Sequence, residues 1–276
     1  MARKQLRAIF FLRIPINEDR GVGGKCVPLP FLKRVIMQVE PVISCEHLTH
    51  YYGKRKIYED LNFTVEPGRI VGLLGKNGTG KTTTINILMG YLKPQSGRCT
   101  LFGEDVQHIS PETRRRIALL LEGHVQYSYM SISQIEKFYS AFYPKWNRDA
   151  YYGLMEKLKV APGQKIARMS NGQRSQVALG LILAQNADLL VLDDFSLGLD
   201  PGYRRLFCEY LRDYAKAEGK TVFLTSHIIQ DLEKLVDEVI VMDYGSILVQ
   251  EEAQTLMARY PGLTLEDIFI ELTGKY

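Results

Sequence analysis

The sequence is poor in cysteine and tryptophan and contains no long apolar run. Its four cysteines, Cys26, Cys45, Cys99 and Cys208, lie far apart and form no CxxC pair. This spacing argues against a zinc or redox motif and fits a reducing compartment. The longest apolar stretches, such as residues 70–74 and 189–192, have the length of a strand, whereas crossing a bilayer takes roughly 20 apolar residues. We therefore expect a chain that does not span a membrane by itself.

Basic residues are concentrated near the N-terminus. Residues 1–36 hold eight of the 35 Lys and Arg residues but two of the 31 Asp and Glu residues. The rest of the chain is close to neutral, so the overall positive charge does not indicate a nucleic-acid partner. Residues 1–36 are predicted to be a basic extension, either disordered or not translated, with Met37 as the working start. The alternative is an arm that binds an anionic membrane surface.

From residue 42 onward, apolar segments with the length of strands alternate with helical patterns. The predicted strands are residues 42–48, 61–65, 70–74, 98–102, 117–121, 189–192, 222–225 and 239–242, and the main predicted helices are 82–89, 175–183, 203–218 and 228–236. Strands alternating with helices indicate an α/β fold with a largely parallel sheet. The helical stretch at about 123–185 interrupts this alternation and predicts an inserted second subdomain.

A glycine-rich loop between a strand and a helix carries the strongest chemical signal. Residues 75–82 read GKNGTGKT and match the P-loop pattern in full. Glycines let backbone N–H groups surround phosphate oxygens, and the helix start adds its positive end. We expect Lys81 to reach the β- and γ-phosphates, Thr82 to coordinate Mg²⁺ and Thr83 to make a further phosphate contact. A GTPase is disfavoured, because no Asn in the chain is followed by Lys.

Two further motifs follow downstream. The apolar strand 189–192 ends in Asp193 and Asp194. A carboxylate at such a strand end can hold Mg²⁺ directly or through water, and we expect this role for Asp193. A neighbouring carboxylate can position the attacking water, and we expect this role for Asp194. Earlier in the chain, Ser170 begins the sequence SNGQR ahead of a helical run, which predicts a second anion site. One nucleotide rarely needs two such sites unless the second serves a neighbouring copy.

The order of these motifs, completed by Gly198-Leu199-Asp200 and Thr225-Ser226-His227, resembles the nucleotide-binding domain of ABC transporters over about residues 42–250. The resemblance implies a P-loop NTPase (RecA-like) core with a small antiparallel β subdomain and an inserted α-helical subdomain. The expected divisions are 1–36, an ATPase domain at 37–250 with its helical subdomain at about 123–185, and a C-terminal helical tail at 251–276. The implied protein binds and hydrolyses ATP, powers a separate membrane permease and sits at the inner face of the membrane.

The resemblance also assigns roles to individual residues. Tyr52 matches the aromatic residue that stacks on adenine, and Glu122 falls where the family has a glutamine that senses Mg²⁺ and the permease. Asp200 matches a loop at the dimer interface, and His227 matches a histidine that contacts the γ-phosphate. The residues implied to hold phosphates and Mg²⁺ are Gly75, Lys76, Asn77, Gly78, Thr79, Gly80, Lys81, Thr82 and Thr83. Those implied to grip the ATP of the opposite subunit are Ser170, Asn171, Gly172 and Gln173.

One departure from the family pattern concerns catalysis. Asp194 stands where the family has a glutamate, and its shorter side chain falls more than ~1 Å short, a misplacement that can cost about 10²-fold in rate. Two interpretations remain: a slowly hydrolysing homodimer, or a degenerate-site member of a heterodimeric pair. The tail at 265–274 resembles the ending of ATPases that serve drug, antibiotic-peptide or polysaccharide exporters, which favours export. The remaining alternative is a non-transport ABC ATPase; a generic P-loop kinase does not explain residues 170–173.

Overall fold

A computed structural model describes residues 40–121, 127–196 and 199–274. These residues form ten strands and nine α-helices. The strands are β1 Ile43–Tyr52, β2 Arg55–Val65, β3 Ile70–Gly75, β4 Ser96–Leu101, β5 Glu104–Asp105, β6 Ile117–Leu120, β7 Leu189–Leu192, β8 Thr221–Thr225, β9 Glu238–Asp243 and β10 Ser246–Glu252. The helices are α1 Lys81–Leu88, α2 Pro111–Arg114, α3 Ile132–Ser140, α4 Arg148–Lys157, α5 Asn171–Ala184, α6 Pro201–Ala217, α7 Ile229–Glu233, α8 Ala253–Arg259 and α9 Leu265–Thr273.

A six-stranded sheet forms the centre of the fold, with strand order β10-β9-β3-β8-β7-β6. All its neighbouring strands run parallel except β10, which pairs antiparallel with β9. All four residues of β7 and all five of β8 are buried, as expected for parallel strands with both faces covered. The α/β class expected from the sequence is confirmed. In this arrangement the carboxyl ends of β3, β7 and β8 lie along one edge.

A second sheet, of order β2-β1-β4-β5, is entirely antiparallel. Its apolar face and the central sheet contribute to the same hydrophobic cluster, in which the rings of Phe63 and Phe223 stack with centroids 5.9 Å apart. The hairpin between β1 and β2 carries Tyr52 at the last position of β1. Packing of the two sheets therefore fixes this aromatic residue relative to the loop that follows β3.

Within its described residues, the chain between β6 and β7 forms helices α3, α4 and α5 and one isolated bridge between Ser131 and Lys165, which agrees with the helical pattern of the sequence. Helix α5 is almost entirely buried, and α4 packs along it. The hydroxyl of Tyr151, on α4, donates to the carbonyl of Ile132 on α3 at 3.0 Å, which ties α4 to α3. The exact limits of this block, and of the other divisions given above, stay predictions.

The C-terminal helices pack back onto the core. Leu265, Ile268 and Phe269 on α9 are buried in the main hydrophobic cluster. At the end of α9, the carbonyls of Thr273 and Gly274 accept hydrogen bonds from Lys76 Nζ at 2.8 and 3.1 Å. Over the described ranges, none of the helices has both the length and the apolar character that a membrane crossing requires.

Candidate nucleotide site

The loop between β3 and α1 is shaped by its glycines. Gly80, the residue before α1, adopts a left-handed conformation with φ of 106°. A Cβ atom at this position would lie 2.7 Å from Ile57 Cγ2 and 2.9 Å from a ring carbon of Tyr58. Both the backbone conformation and these close contacts therefore exclude a side chain. The chain can therefore turn tightly into α1, and the N–H groups of the first turn of α1 remain available for an anion.

Lys81 is held inside this loop. Its side chain is buried, and Nζ donates to the carbonyl of Gly75 at 2.7 Å and to that of Lys76 at 3.2 Å. Burial lowers its pKa, and the nearby Asp194 and Asp193 carboxylates oppose that shift. A cation confined between carbonyls and facing two carboxylates is well placed to move onto phosphate oxygens.

Asp193 follows β7 and is 1% exposed. Its Oδ1 accepts a hydrogen bond from Thr225 Oγ1 at 2.8 Å and lies 3.5 Å from Thr82 Oγ1. A carboxylate and an exposed threonine hydroxyl side by side are the oxygen ligands that suit Mg²⁺, which keeps several waters and takes few protein ligands. Among the described residues, no group of three or more His, Cys, Asp or Glu side chains is arranged to hold a metal ion. Glu122, the third predicted metal-site residue, lies outside the described residues.

Asp194 and His227 face each other beside this carboxylate. His227 Nε2 lies 2.8 Å from Asp194 Oδ2, and the backbone N–H of Asp194 donates to Thr225 Oγ1 at 3.0 Å. Asp194 has a φ of 44°, a left-handed conformation that is uncommon for a residue other than glycine and less unfavourable for Asp and Asn than for most others. Such conformations persist where the surrounding structure imposes them. The two side chains are held as a unit at the carboxyl edge of the sheet.

Asp194, His227 and the phosphate loop border one cavity of about 360 Å³, whose lining does not include Asp193. It is lined by Tyr52, Arg55, Ile57, Asn77, Gly78, Gly80, Lys81, Thr82, Thr83, Asp194 and His227. The structure thus brings together the predicted adenine-stacking residue, most of the phosphate loop and the predicted hydrolytic pair. Tyr52 is half exposed, as a ring that receives a planar base must be. A cavity lined by an aromatic ring, a glycine-rich loop, a lysine and a carboxylate suits a nucleoside triphosphate.

Arg55 and Ile57 line the same cavity but were not predicted from the sequence. The Arg55 guanidinium lies close to the phosphate loop. A Cβ atom placed at Gly78 would be 3.0 Å from one of its nitrogens. Arg55 is the first residue of β2, directly after the hairpin that follows Tyr52. A signal was available in the sequence: once Tyr52 is assigned to the base, an arginine three residues later has to lie nearby.

Residues 170–173 do not line this cavity. Ser170 caps α5, where its Oγ accepts from the N–H of Gln173 at 3.2 Å and its own N–H donates to Gln173 Oε1 at 3.1 Å. Ser170 and Asn171 are exposed, whereas Gly172 is buried against the ring of Tyr203. The start of α5 is therefore a capped helix N-terminus that takes no part in lining the cavity of its own chain.

Asp200 and Thr79 are also absent from the cavity lining. The side chains of both form hydrogen bonds within the protein. Asp200 is exposed and caps α6, accepting from the N–H groups of Gly202 and Tyr203 at 3.0 and 3.1 Å. Thr79 is fully buried and its Oγ1 donates to the carbonyl of Lys76 at 2.8 Å. Its side chain therefore supports the loop, and only its backbone is available for phosphate. Lys76 likewise directs its ammonium to the end of α9.

A second concavity, a groove of about 460 Å³, lies between the end of α1, β6 and the helical block. Tyr91 and Phe142 line it and are 64% and 62% exposed. Arg114 and Arg115 supply positive charge at its border. Large exposed aromatic side chains around a groove are typical of a protein interaction site.

Comparison with known proteins agrees with this geometry. A family model described as "ABC transporter" matches residues 58–196. The chain is 30% identical to Nod factor export ATP-binding protein I of Ralstonia nicotianae, over 83% of this chain and 73% of that protein. It is 31% identical to bacitracin transport ATP-binding protein BcrA of Bacillus licheniformis, over 75% of this chain and 68% of that protein. A solved ATP-binding subunit of an ABC transporter superposes with a TM-score of 0.73 at 25% identity, covering 84% of this chain and 100% of that one.

Fold and site together define an ATP-binding domain of the P-loop NTPase class. The chain belongs to the ABC transporter family, and within it to the ATP-binding subunits. Membership of this family implies ATP hydrolysis and a membrane permease as partner. The family expected from the order of the motifs is therefore confirmed.

Proposed function

We propose that the chain hydrolyses ATP between two ATPase subunits arranged head to tail. The observation that carries this proposal is a division within the chain. Lys81, Asp194 and His227 border one cavity, while the start of α5 lies outside it with its capped, exposed Ser170. In a dimer, Ser170, Asn171, Gly172 and Gln173 of one subunit close the cavity of the other. ATP then stabilises the closed dimer by binding both halves at once.

Within this site, the residues divide the substrate among them. Tyr52 stacks on adenine, and Arg55 adds positive charge beside the loop. Lys81, released from its carbonyl partners, reaches the β- and γ-phosphates. Thr82 and Asp193 hold Mg²⁺, which neutralises charge that develops on the phosphate oxygens. Glu122 keeps its predicted place as a further residue of the metal site.

The proposed hydrolytic step belongs to Asp194 and His227. Asp194 accepts a proton from, or orients, the attacking water, and His227 steadies the carboxylate and contacts the γ-phosphate. Because Asp194 is shorter than glutamate, we infer slow turnover. A homodimer is favoured, since Lys81, Asp193 and His227 are all present. The alternative is a heterodimer in which residues 170–173 of this chain complete the nucleotide site of a different ATPase subunit.

We further infer that the groove near Tyr91 and Phe142 receives a short helix of the permease. Aromatic walls with Arg114 and Arg115 at the border suit an amphipathic helix with an acidic end. The names of the relatives, which are export and transport ATP-binding proteins, support an exporter at the inner face of the cell membrane. Loss of the γ-phosphate opens the dimer and moves the docked permease helices. A non-transport ATPase is the alternative, and co-purification with ribosomes in place of a permease would favour it.

Hydrolysis by the purified chain tests the proposal. We expect magnesium-dependent release of phosphate from ATP, abolished by Lys81→Ala and retained by Lys54→Ala, an exposed lysine on the hairpin after Tyr52. Light scattering with ATP and Asp194→Asn, which slows turnover, should report a dimer. The proposal is contradicted if Lys81→Ala leaves the rate of ATP hydrolysis unchanged, or if the chain stays monomeric with bound ATP.

A further inference from the structure

Two free cysteines lie against each other on neighbouring strands of the antiparallel sheet. Cys45 on β1 is the register partner of Cys99 on β4, and their Sγ atoms are 2.8 Å apart. Each residue is 2% exposed. The third cysteine of the described residues, Cys208, lies on α6. In sequence the pair is separated by more than 50 residues, so the sequence alone gave no reason to connect them.

The register places the pair where a cross-strand disulfide is sterically possible. The N–H of Phe102 donates to the carbonyl of Val42 at 2.9 Å, so positions 42 and 102 form a hydrogen-bonded pair. In an antiparallel ladder hydrogen-bonded and non-hydrogen-bonded pairs alternate, which makes Cys45 and Cys99 a non-hydrogen-bonded pair. In such pairs the Cα atoms approach to about 4.5 Å and the side chains come closest. That separation is within the range that a disulfide spans.

We propose that Cys45 and Cys99 are an oxidation site that a small hydroperoxide or a small disulfide converts to a reversible cross-strand disulfide. With a hydroperoxide, one thiolate attacks the terminal oxygen to give a sulfenic acid and releases the reduced oxygen as alcohol or water. The second thiolate then displaces the sulfenic oxygen, which leaves as water once protonated, and the S–S bond forms. Two thiols are oxidised and one peroxide is reduced. With a small disulfide, one cysteine thiolate attacks one of its sulfurs, forms a mixed disulfide and releases one thiolate. The second cysteine thiolate then attacks the mixed disulfide, forms the Cys45–Cys99 bond and releases the other thiolate. A reducing thiol reverses the reaction by exchange.

Burial sets the pace of this reaction. It raises the pKa of the Cys45 thiol, and the hydrogen-bonded contact with Cys99 raises it further. A shielded thiol with little thiolate reacts slowly, so the pair resists brief exposure to oxidant and responds to prolonged exposure. Once one sulfur is oxidised, the adjacent thiol is already in place to close the bond.

The cysteine pair lies close to Tyr58, a residue that packs against the phosphate loop. Tyr58 is fully buried, and its pKa is raised by burial, with Cys45 and Cys99 adding to the shift. The same Tyr58 ring packs against Gly80. A bond between Cys45 and Cys99 would also close a loop of chain that includes Tyr52 and the whole phosphate loop. Oxidation is therefore expected to stiffen this half of the nucleotide site.

Disulfide mapping of the full chain tests the proposal. The protein is incubated with hydrogen peroxide or oxidised glutathione, free thiols are alkylated, and the peptides are identified by mass spectrometry. We expect one intramolecular disulfide that joins the Cys45 and Cys99 peptides, with Cys26 and Cys208 alkylated. The melting temperature should rise by roughly 5–10 °C and return on reduction. Cys208→Ser should behave as wild type, whereas Cys45→Ser and Cys99→Ser should lose both the disulfide and the shift.

Three results would overturn this inference. The first is full alkylation of Cys45 and Cys99 after prolonged oxidation. The second is a disulfide that involves Cys208 or joins two chains. The third is a Cys45–Cys99 disulfide that lowers the melting temperature. The wild-type mapping stands without the variants, so poor folding of a serine variant does not affect it. The test also does not depend on ATP hydrolysis, and its outcome leaves the proposed function untouched.

Discussion

Lengthening Asp194 by one methylene tests whether this residue limits hydrolysis. The substitution Asp194→Glu moves the carboxylate forward by more than ~1 Å, a displacement of the size that changes rates by about 10²-fold. That factor corresponds to about 2.7 kcal/mol of activation free energy. Asp194 lines the nucleotide cavity and is 5% exposed, so we expect the longer side chain to extend into the cavity, where we propose that the γ-phosphate binds.

The same substitution should destabilise the fold. Asp194 has a φ of 44°, and a left-handed backbone is less costly for Asp than for Glu. The 2.8 Å contact with His227 Nε2 must also be re-formed by a longer chain. We expect a loss of about 1 kcal/mol in the free energy of unfolding, measured as a lower denaturation midpoint with an unchanged slope.

Steady-state phosphate release, with kcat and KM determined separately, measures the effect. We expect a higher kcat for Asp194→Glu at similar KM, and a kcat lowered by about 10²- to 10⁴-fold for Asp194→Asn, which keeps the shape but cannot accept a proton. Asp213→Glu, on the exposed surface of α6, is the matched control. An unchanged or lower kcat for Asp194→Glu would refute the view that aspartate is a handicap here.

Three further outcomes follow from the site. Tyr52→Ala should weaken binding of a fluorescent ATP analogue about tenfold or more, since stacking contributes ~1–3 kcal/mol, while Tyr244→Ala, an exposed tyrosine, should leave it unchanged. Gly172→Ala places a Cβ atom 2.4 Å from the Tyr203 ring; we expect hydrolysis to fall while the single chain still binds ATP, as equilibrium binding and turnover together would reveal. Asp193→Asn should weaken the magnesium dependence of nucleotide binding, measured by titration with and without the metal, while Thr82 remains as a ligand; a dependence equal to that of the wild type would contradict the role of Asp193 as a ligand.

Features with a strong local signal were predictable from the sequence. Strands β3 and β7 are short apolar runs. The P-loop pattern follows β3 and requires a strand before it and a helix after it, and two carboxylates follow β7. Strand β10 was missed because its residues alternate between exposed and half buried and include three consecutive polar positions. The helix predicted at 228–236 is shorter, Ile229–Glu233, because the residues that follow pack as a turn against the core.

Other features depend on tertiary structure and have no local signal. The left-handed backbone of Asp194 is imposed by neighbours far away in sequence, among them Thr225. Likewise Lys76 was expected at the phosphates, yet its side chain binds the end of α9, a segment almost 200 residues away.

Mixing two inactive variants tests most directly whether ATP is held between Lys81 of one subunit and Ser170 of another. Lys81→Ala and Ser170→Arg should each be inactive, because every site of either homodimer carries one defect. In a mixed dimer, one site combines both defects and the other is intact. Equal mixing should then restore about one quarter of the wild-type rate, since roughly half of the dimers are mixed and each has one working site of two. Phosphate release from the mixture that stays at the sum of the two inactive variants would contradict the account.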